Sequence, residues 1–265
     1  MDRVHLLEIE DQSWCPKVLR YGITDLLRFY LNVGKFYQPI TPILNSAIQD
    51  SKADQIIDLC SGGGGPWLSM LPQLNQHRKV PIKLHLTDKY PNLEALESIH
   101  ERWGDNAIIH QESCDATQMP ENLNGFRTLF TSFHHFRPEQ CQQILQDAVN
   151  KNQGIAIFEF TQRSFLSIFM MLFAPIMTLL VIPFTKPFRW SNLLFTYLIP
   201  ILPLIAMFDG LVSCIRTYSP RELQKLVDAL ENNNHEWKIG IKKGGLLPNP
   251  ITYLVGTPPT IKKPE

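Results

Sequence analysis

Ile56-Ile57-Asp58-Leu59-Cys60-Ser61-Gly62-Gly63-Gly64-Gly65-Pro66-Trp67 is the stretch on which the reading of this chain turns. A short apolar run ends in an acid, four glycines follow, and a proline stands where a helix can open. A strand that delivers its end into a glycine turn and a helix N-terminus is a nucleotide-type cofactor site. Glycines let the backbone approach a ligand closely, and the first turn of a helix offers unpaired N–H groups.

A dinucleotide site needs G-x-G-x-x-G, with the third glycine packing helix against strand. The two registers here run Gly62, Gly64, Trp67 and Gly63, Gly65, Leu68. Both put a bulky residue where the third glycine belongs, which disfavours a nicotinamide or flavin dinucleotide. The alternative pattern has an acid two residues before the first of three alternating positions. Asp58, Cys60, Gly62 and Gly64 occupy it, with Cys60 in place of the first glycine. In this the chain resembles the class I S-adenosylmethionine (SAM) methyltransferases.

The order of later segments extends the resemblance. A strand candidate at 82–87 ends at Asp88, with a spacing from Asp58 about ten residues beyond the roughly 20 of a dinucleotide unit. A loop around His77, Arg78 and Lys79 absorbs the excess. Asp88 either receives the ribose hydroxyls or caps a helix over 93–102. A carboxylate suits the ribose because it has two acceptor oxygens and no proton to give. A third strand, 107–111, leads into Ser113-Cys114-Asp115-Ala116-Thr117, and a fourth, 128–131, into Ser132-Phe133-His134-His135-Phe136. Residues 154–160 read as a buried fifth strand, after a helix from Pro138 to Asn150 that begins at a proline compatible with N1. Residues 237–243 and 251–256 read as an antiparallel pair, with Gly244, Gly245, Pro248 and Pro250 between them. Ser219, Pro220 and Glu222 make a capping box opening a helix with a Leu223, Leu226, Val227, Leu230 stripe.

The resemblance implies an α/β, Rossmann-like, seven-stranded methyltransferase sheet and SAM as cofactor. It implies that Asp58, Cys60, Ser61, Gly62 and Gly64 hold the methionine half, Asp88 the ribose, and Asp115 and Ala116 the adenine. Ser132 and Phe133 complete the cofactor set. His134 or His135 is the candidate base for a hydroxyl acceptor, since an unperturbed imidazole titrates near neutral pH; both are equally readable as pocket walls. No metal site is expected, because neighbouring side chains point apart. Residues 1–50 read as an N-terminal helical cap; the resemblance implies that its helix over 18–33 folds over the cofactor and forms a wall of the acceptor pocket, the alternative being that it pads the sheet. Residues 51–265 read as the catalytic domain, interrupted by a hydrophobic insertion at 164–209.

That insertion is the second informative feature. Residues 165–184 carry no charge, and after Thr185-Lys186-Pro187-Phe188-Arg189-Trp190 neither do residues 191–208. About 18 apolar residues suffice for a transmembrane candidate. Three arrangements fit: a spanning hairpin, a monotopic hairpin broken at Pro175, Pro183, Pro200 and Pro203, and an apolar lid. Lys186, Arg189 and Trp190 suit a headgroup boundary. Asp209, Arg216 and Tyr218 follow as candidates to face the acceptor, unless Asp209 and Arg216 pair with each other.

Composition bounds the rest. The 265 residues hold 25 Lys plus Arg against 25 Asp plus Glu, so nothing electrostatic points to nucleic acid. Five scattered cysteines with no CxxC pair read as thiols of a reducing compartment. The N-terminus lacks a signal-like apolar region, so the catalytic domain is expected in the cytoplasm. The reading that joins these features is a membrane-associated, SAM-dependent methyltransferase of a lipophilic small molecule (lipid, quinone, terpenoid or polyketide), with membrane lipid as a partner. The alternatives are a membrane-anchored SAM-binding module without turnover, and a soluble methyltransferase whose apolar segment is a lid.

Overall fold

A computed structural model describes residues 2–76, 78–243 and 250–259. His77, Gly244, Gly245 and Pro248 lie outside the described residues. Seven strands form one sheet in the order β3-β2-β1-β4-β5-β7-β6. They are β1 (Gln55–Asp58), β2 (Lys83–Leu86), β3 (Ala107–Ile109), β4 (Phe126–Phe130), β5 (Ile155–Glu159), β6 (Glu236–Lys242) and β7 (Ile251–Thr257). The first five pair in parallel, whereas β7 is antiparallel to both β5 and β6. The expected seven-stranded sheet with its terminal antiparallel pair is present.

The side-chain period of two explains the layering. In β1, Ile56 packs on one face and Ile57 on the other; in β5, Phe158 and Ile157 divide in the same way. One face carries α2 (Thr41–Asp50), α3 (Trp67–Asn75) and α4 (Leu93–Trp103) through Leu44, Ile48, Trp67, Met70, Leu96 and Ile99. The other carries α5 (Pro138–Asn150) and α10 (Pro220–Asp228) through Ile144, Leu145, Leu223 and Leu226. The Ser219 capping box forms as its sequence predicts. The α4 cap differs: Asn92, not Asp88, accepts the Ala95 N–H, which leaves Asp88 for the sheet edge.

Residues 164–216 depart from this frame. The first apolar run forms α6 (Phe165–Met171), α7 (Ala174–Val181) and a 3₁₀ turn; the second forms α8 (Trp190–Leu193), a π-helical turn and α9 (Ile201–Arg216). Prolines set the breaks. Pro175 sits in the first turn of α7 and Pro183 in the 3₁₀ turn. Pro200 pushes Ile199 out of the helical region (φ −125°, ψ 87°) before α9. Among the described residues no single helix is long and apolar enough to cross a membrane. Two pairs have the length and composition together but are bent, by 46° between Phe165–Met171 and Ala174–Phe184 and by 83° between Trp190–Leu198 and Ile201–Arg216.

The polarity of this segment is inverted. Ser167, Thr178, Asn192 and Thr196 are buried, while Phe165, Leu180, Trp190, Leu198 and Leu204 stand more than half exposed. Its inner side packs on α1 (Lys17–Val33), where Ile182, Leu202 and Ile205 meet Ile23 and Leu26. Arg189 does not reach outward to a headgroup boundary. It turns inward to Asp25 (2.9 Å) and Asn92 (3.0 Å), because the buried Asp25 carboxylate needs a counter-charge.

Candidate active site

The carboxyl ends of β1, β2 and β4 converge where the strand order reverses, the place where open α/β sheets bind ligands. A cleft of about 530 Å³ lies there. Its walls include Cys60, Ser61, Gly62, Gly63 and Gly65 from the glycine turn, Asp88 after β2, and Ser132 and His135 after β4. The helix α1 contributes Thr24, Leu27, Arg28 and Leu31, and the N-terminal segment contributes Leu6, Leu7 and Asp11.

The glycine turn takes its shape from three directions. Gly62 (φ 53°) and Gly64 (φ 102°) adopt left-handed backbone that only glycine enters without strain. Gly62 faces the cleft, whereas a Cβ on Gly64 would strike Ile99 of α4. Cys60, standing where the family pattern has glycine, also holds a positive φ of 59°. The Asp88 carboxylate ties the turn from beside it, accepting the Gly62 N–H at 2.7 Å and the Tyr90 N–H at 2.6 Å. Burial raises its pKa above the usual carboxylate value.

Asp58 works from beneath. It is buried and accepts hydroxyl protons from Ser61 and Thr128, each at 2.7 Å. Burial pushes its carboxyl up to about 7 in spite of these bonds. Its side chain is not among the cleft walls, and its bonds are to the turn and to β4. Asp115 is not among the cleft walls; it pairs with the cleft-lining Lys89 (2.9 Å) and accepts from the Thr117 N–H (3.0 Å). Ala116 and Phe133 are core residues on the α5 face. Ser132 reaches the cleft, next to Thr131, a β-branched residue held at φ 48° and bonded to Tyr37.

The two histidines do not point apart. The 3₁₀ turn Phe133–His135 stacks their rings, with centroids 4.3 Å apart. His134 is fully buried and its Nδ1 lies 2.8 Å from Glu159 at the end of β5. His135 is partly open to the cleft and its Nδ1 lies 2.7 Å from Asp11 and 2.9 Å from Glu8. Burial opposes ionisation of His135, but Asp11 and Glu8 hold its pKa well above the ordinary imidazole value. For Glu8 burial raises the pKa and the His135 cation more than offsets it, bringing it down to about 2.

Arg216 joins this cluster, contacting Asp11 at 2.9 Å and Glu8 at 3.4 Å, and it lines the cleft. Asp209 is not among the cleft walls and does not pair with Arg216. Its two oxygens accept the Ile9 N–H (2.8 Å) and the Glu10 N–H (3.1 Å), because the N-terminal segment lies across α9 with those amides otherwise unsatisfied. Burial pushes the Asp209 carboxyl up to about 6. Tyr218 donates to the Phe136 carbonyl at 2.9 Å and stacks under Arg3, away from the cleft.

Sequence reasoning missed Glu8, Asp11 and Glu159. Glu159 carried a usable signal, since it ends an apolar strand as Asp58 does. Glu8 and Asp11 carried none, because no local pattern brings an N-terminal segment to the end of β4.

No family model matches the chain, and no curated protein sequence matches it. Solved structures do. The plantazolicin methyltransferase BpumL in complex with SAH superposes with a TM-score of 0.50 at 12% identity, over 92% of this chain and 96% of that one. An O-methyltransferase of neocarzinostatin biosynthesis, NcsB1, solved with SAM and 2-hydroxy-5-methyl naphthoic acid, gives a TM-score of 0.52 at 12% identity over 92% of this chain. PigF with SAH gives 0.50 at 15% over 93%. This chain spans 58% of NcsB1 and 62% of PigF. The fold is that of the class I SAM-dependent methyltransferases. The apolar insertion, by contrast, is a feature read from this chain alone.

Proposed function

We propose that the protein is a SAM-dependent methyltransferase that works at a membrane surface on a lipophilic small molecule. The cleft supports the first half of this reading. It sits at the switch point of a methyltransferase sheet, under a turn whose glycines leave room for a cofactor and beside the Asp88 carboxylate. Although each Asp88 oxygen already accepts one N–H, each has a second lone pair for a ribose hydroxyl. In such a reaction SAM supplies the electrophilic methyl group and the protein supplies alignment. His135 borders the cleft, but its Nδ1 is turned to the Glu8 and Asp11 carboxylates and not to an acceptor.

The inverted polarity of residues 164–208 carries the second half. Exposed Phe165, Phe169, Leu180, Trp190, Leu198 and Leu204 with buried Ser167, Thr178, Asn192 and Thr196 are ordered for an apolar solvent. Water-soluble monomers rarely expose apolar patches beyond a few hundred Å². The bends favour a hairpin lying in one leaflet over one that spans. The half-exposed Leu6 and Leu7 at the cleft wall give a lipophilic acceptor a compatible entrance. The insertion itself stands one helix away, since α1 separates it from the cleft.

The test is incubation of the full-length protein with methyl-labelled SAM and a lipid extract, followed by mass spectrometry of the organic phase. A labelled lipophilic product is expected. Label confined to water-soluble acceptors would replace the membrane half of the reading with a lid. SAM binding with no labelled product from any acceptor would favour a binding module without turnover.

A further inference from the structure

The geometry points to a site for a divalent first-row transition-metal ion formed by Glu8, His134 and His135. One donor atom from each of the three lies within 4.8 Å of the others. First-shell donors about 2.0–2.2 Å from such an ion stand roughly 3.0–3.5 Å from one another. The Glu8 carboxylate stands between the two rings, with Oε2 2.9 Å from His135 Nδ1 and Oε1 3.7 Å from His134 Nε2, so small side-chain shifts bring one donor from each residue to that spacing. Asp11 Oδ1, 2.7 Å from His135 Nδ1, is a fourth donor on the cleft side.

The decisive atom is His134 Nε2. It is buried, has no hydrogen-bond partner and is aimed at Glu8. On the opposite side of the ring Nδ1 meets Glu159 Oε2 at 2.8 Å, while Glu159 Oε1 accepts the His134 backbone N–H at 3.2 Å. A ring that donates Nδ1–H to Glu159 carries a lone pair on Nε2. That lone pair then faces Glu8 Oε1, which also accepts the Ser213 hydroxyl at 3.1 Å and lies 3.4 Å from Arg216, and a metal ion between the two would join lone pair and carboxylate. A carboxylate that orients a histidine from behind is the usual outer support of a metal ligand.

The second imidazole repeats the demand. His135 Nδ1 and Glu8 Oε2 are close, yet neither atom has a hydrogen bond of acceptable alignment. Arg216 and Arg3 are the cations nearby, and both are engaged elsewhere as well. Arg216 donates to the His134 carbonyl at 3.1 Å and to Asp11 at 2.9 Å, and Arg3 donates to the Phe136 carbonyl at 3.0 Å. Two imidazoles with carboxylates make a borderline donor set, suited to zinc, iron, cobalt or manganese more than to magnesium or calcium. Neither a thiol nor a helix N-terminus contributes.

Cobalt(II) titration of full-length, chelator-treated, untagged protein in detergent tests the assignment without relying on activity, so it is independent of the methyltransferase reading. Visible absorption bands that saturate near one equivalent are expected, together with an upward shift of thermal unfolding. His135→Ala should weaken binding at least a hundredfold. Glu159→Gln keeps every ligand in place and should weaken it 10–100-fold, with circular dichroism confirming that both variants fold. If a variant fails to fold, the wild-type titration still decides. Absence of visible bands in the wild type, or undiminished binding in both variants, would overturn the site; the first result would mean that a proton on His135 closes the cluster.

Discussion

Asp88 accepts the Gly62 backbone N–H at 2.7 Å, so the acid just after β2 holds the turn that follows β1. One carboxylate therefore sets the turn and borders the cleft where a ribose would lie. Charge-assisted hydrogen bonds contribute about 1.5–3 kcal/mol each. Asp88→Ala is expected to weaken SAM binding at least tenfold, measured by calorimetry. Unchanged affinity would place the ribose elsewhere.

Gly62 and Gly64 separate in their expected effects. Gly62 faces the cleft and has only the Thr24 side chain near its missing Cβ, at 3.3 Å. Gly62→Val should abolish SAM binding, with a backbone-strain cost of about 1–3 kcal/mol and a circular dichroism spectrum close to wild type. Gly64→Val bears the same strain and adds a clash with Ile99, so it should lose roughly 1–3 kcal/mol more in denaturant melts. Equal losses of stability from the two would contradict this difference.

The pH dependence of stability should carry the mark of Asp58. Its carboxyl is raised to about 7 in the folded protein against an ordinary value near 3.9 in the unfolded chain. The folded state therefore holds this proton over a window where the unfolded state has released it. The stabilising difference is full below about pH 4 and is lost as pH rises toward about 7. A displacement of that size corresponds to at most roughly 4 kcal/mol. Relative to Asp58→Asn, wild-type stability in urea melts should fall between about pH 4 and about pH 7. A constant difference would mean that Asp58 is ionised throughout.

Asp209 is expected to secure the N-terminal segment. Replacing it with Ala removes the acceptor of the Ile9 and Glu10 N–H groups and should cost about 2–4 kcal/mol. Limited proteolysis of Asp209→Ala should cut within the first 12 residues earlier than in wild type. Identical digestion patterns would show that other contacts suffice.

The exposed apolar face makes a direct prediction for lipid. Phe165→Glu, Leu180→Glu and Leu198→Glu each remove a side chain worth about 1.5–3 kcal/mol when buried. Vesicle co-sedimentation should drop roughly tenfold or more for each, without loss of secondary structure. Wild-type protein that stays in the supernatant as a monomer without detergent would replace the membrane reading with a lid.

Much of the fold was legible because its signals are local. The 56–67 stretch, the acid after β2, the Pro138 helix start and the Ser219 capping box each need only a few neighbouring residues. The cluster at the end of β4 was not local. His134 and His135 could be seen, but their partners Glu8, Asp11 and Glu159 come from two distant segments that only the tertiary fold joins. Asp209 was misread for the same reason. The two bare amides it satisfies are 200 and 199 residues away in sequence. The inversion of polarity at 164–208 lay equally beyond reach, since composition gives the apolar content but not which side faces out.

Calorimetric titration of SAM into the full-length protein bears most directly on the central claim, that the cleft beside Asp88 and Gly62 holds SAM for methyl transfer. The account predicts one site of micromolar affinity, about −8 kcal/mol, that is weakened at least tenfold in Asp88→Ala and absent in Gly62→Val. No heat with SAM, or tight binding of NAD in its place, would contradict it.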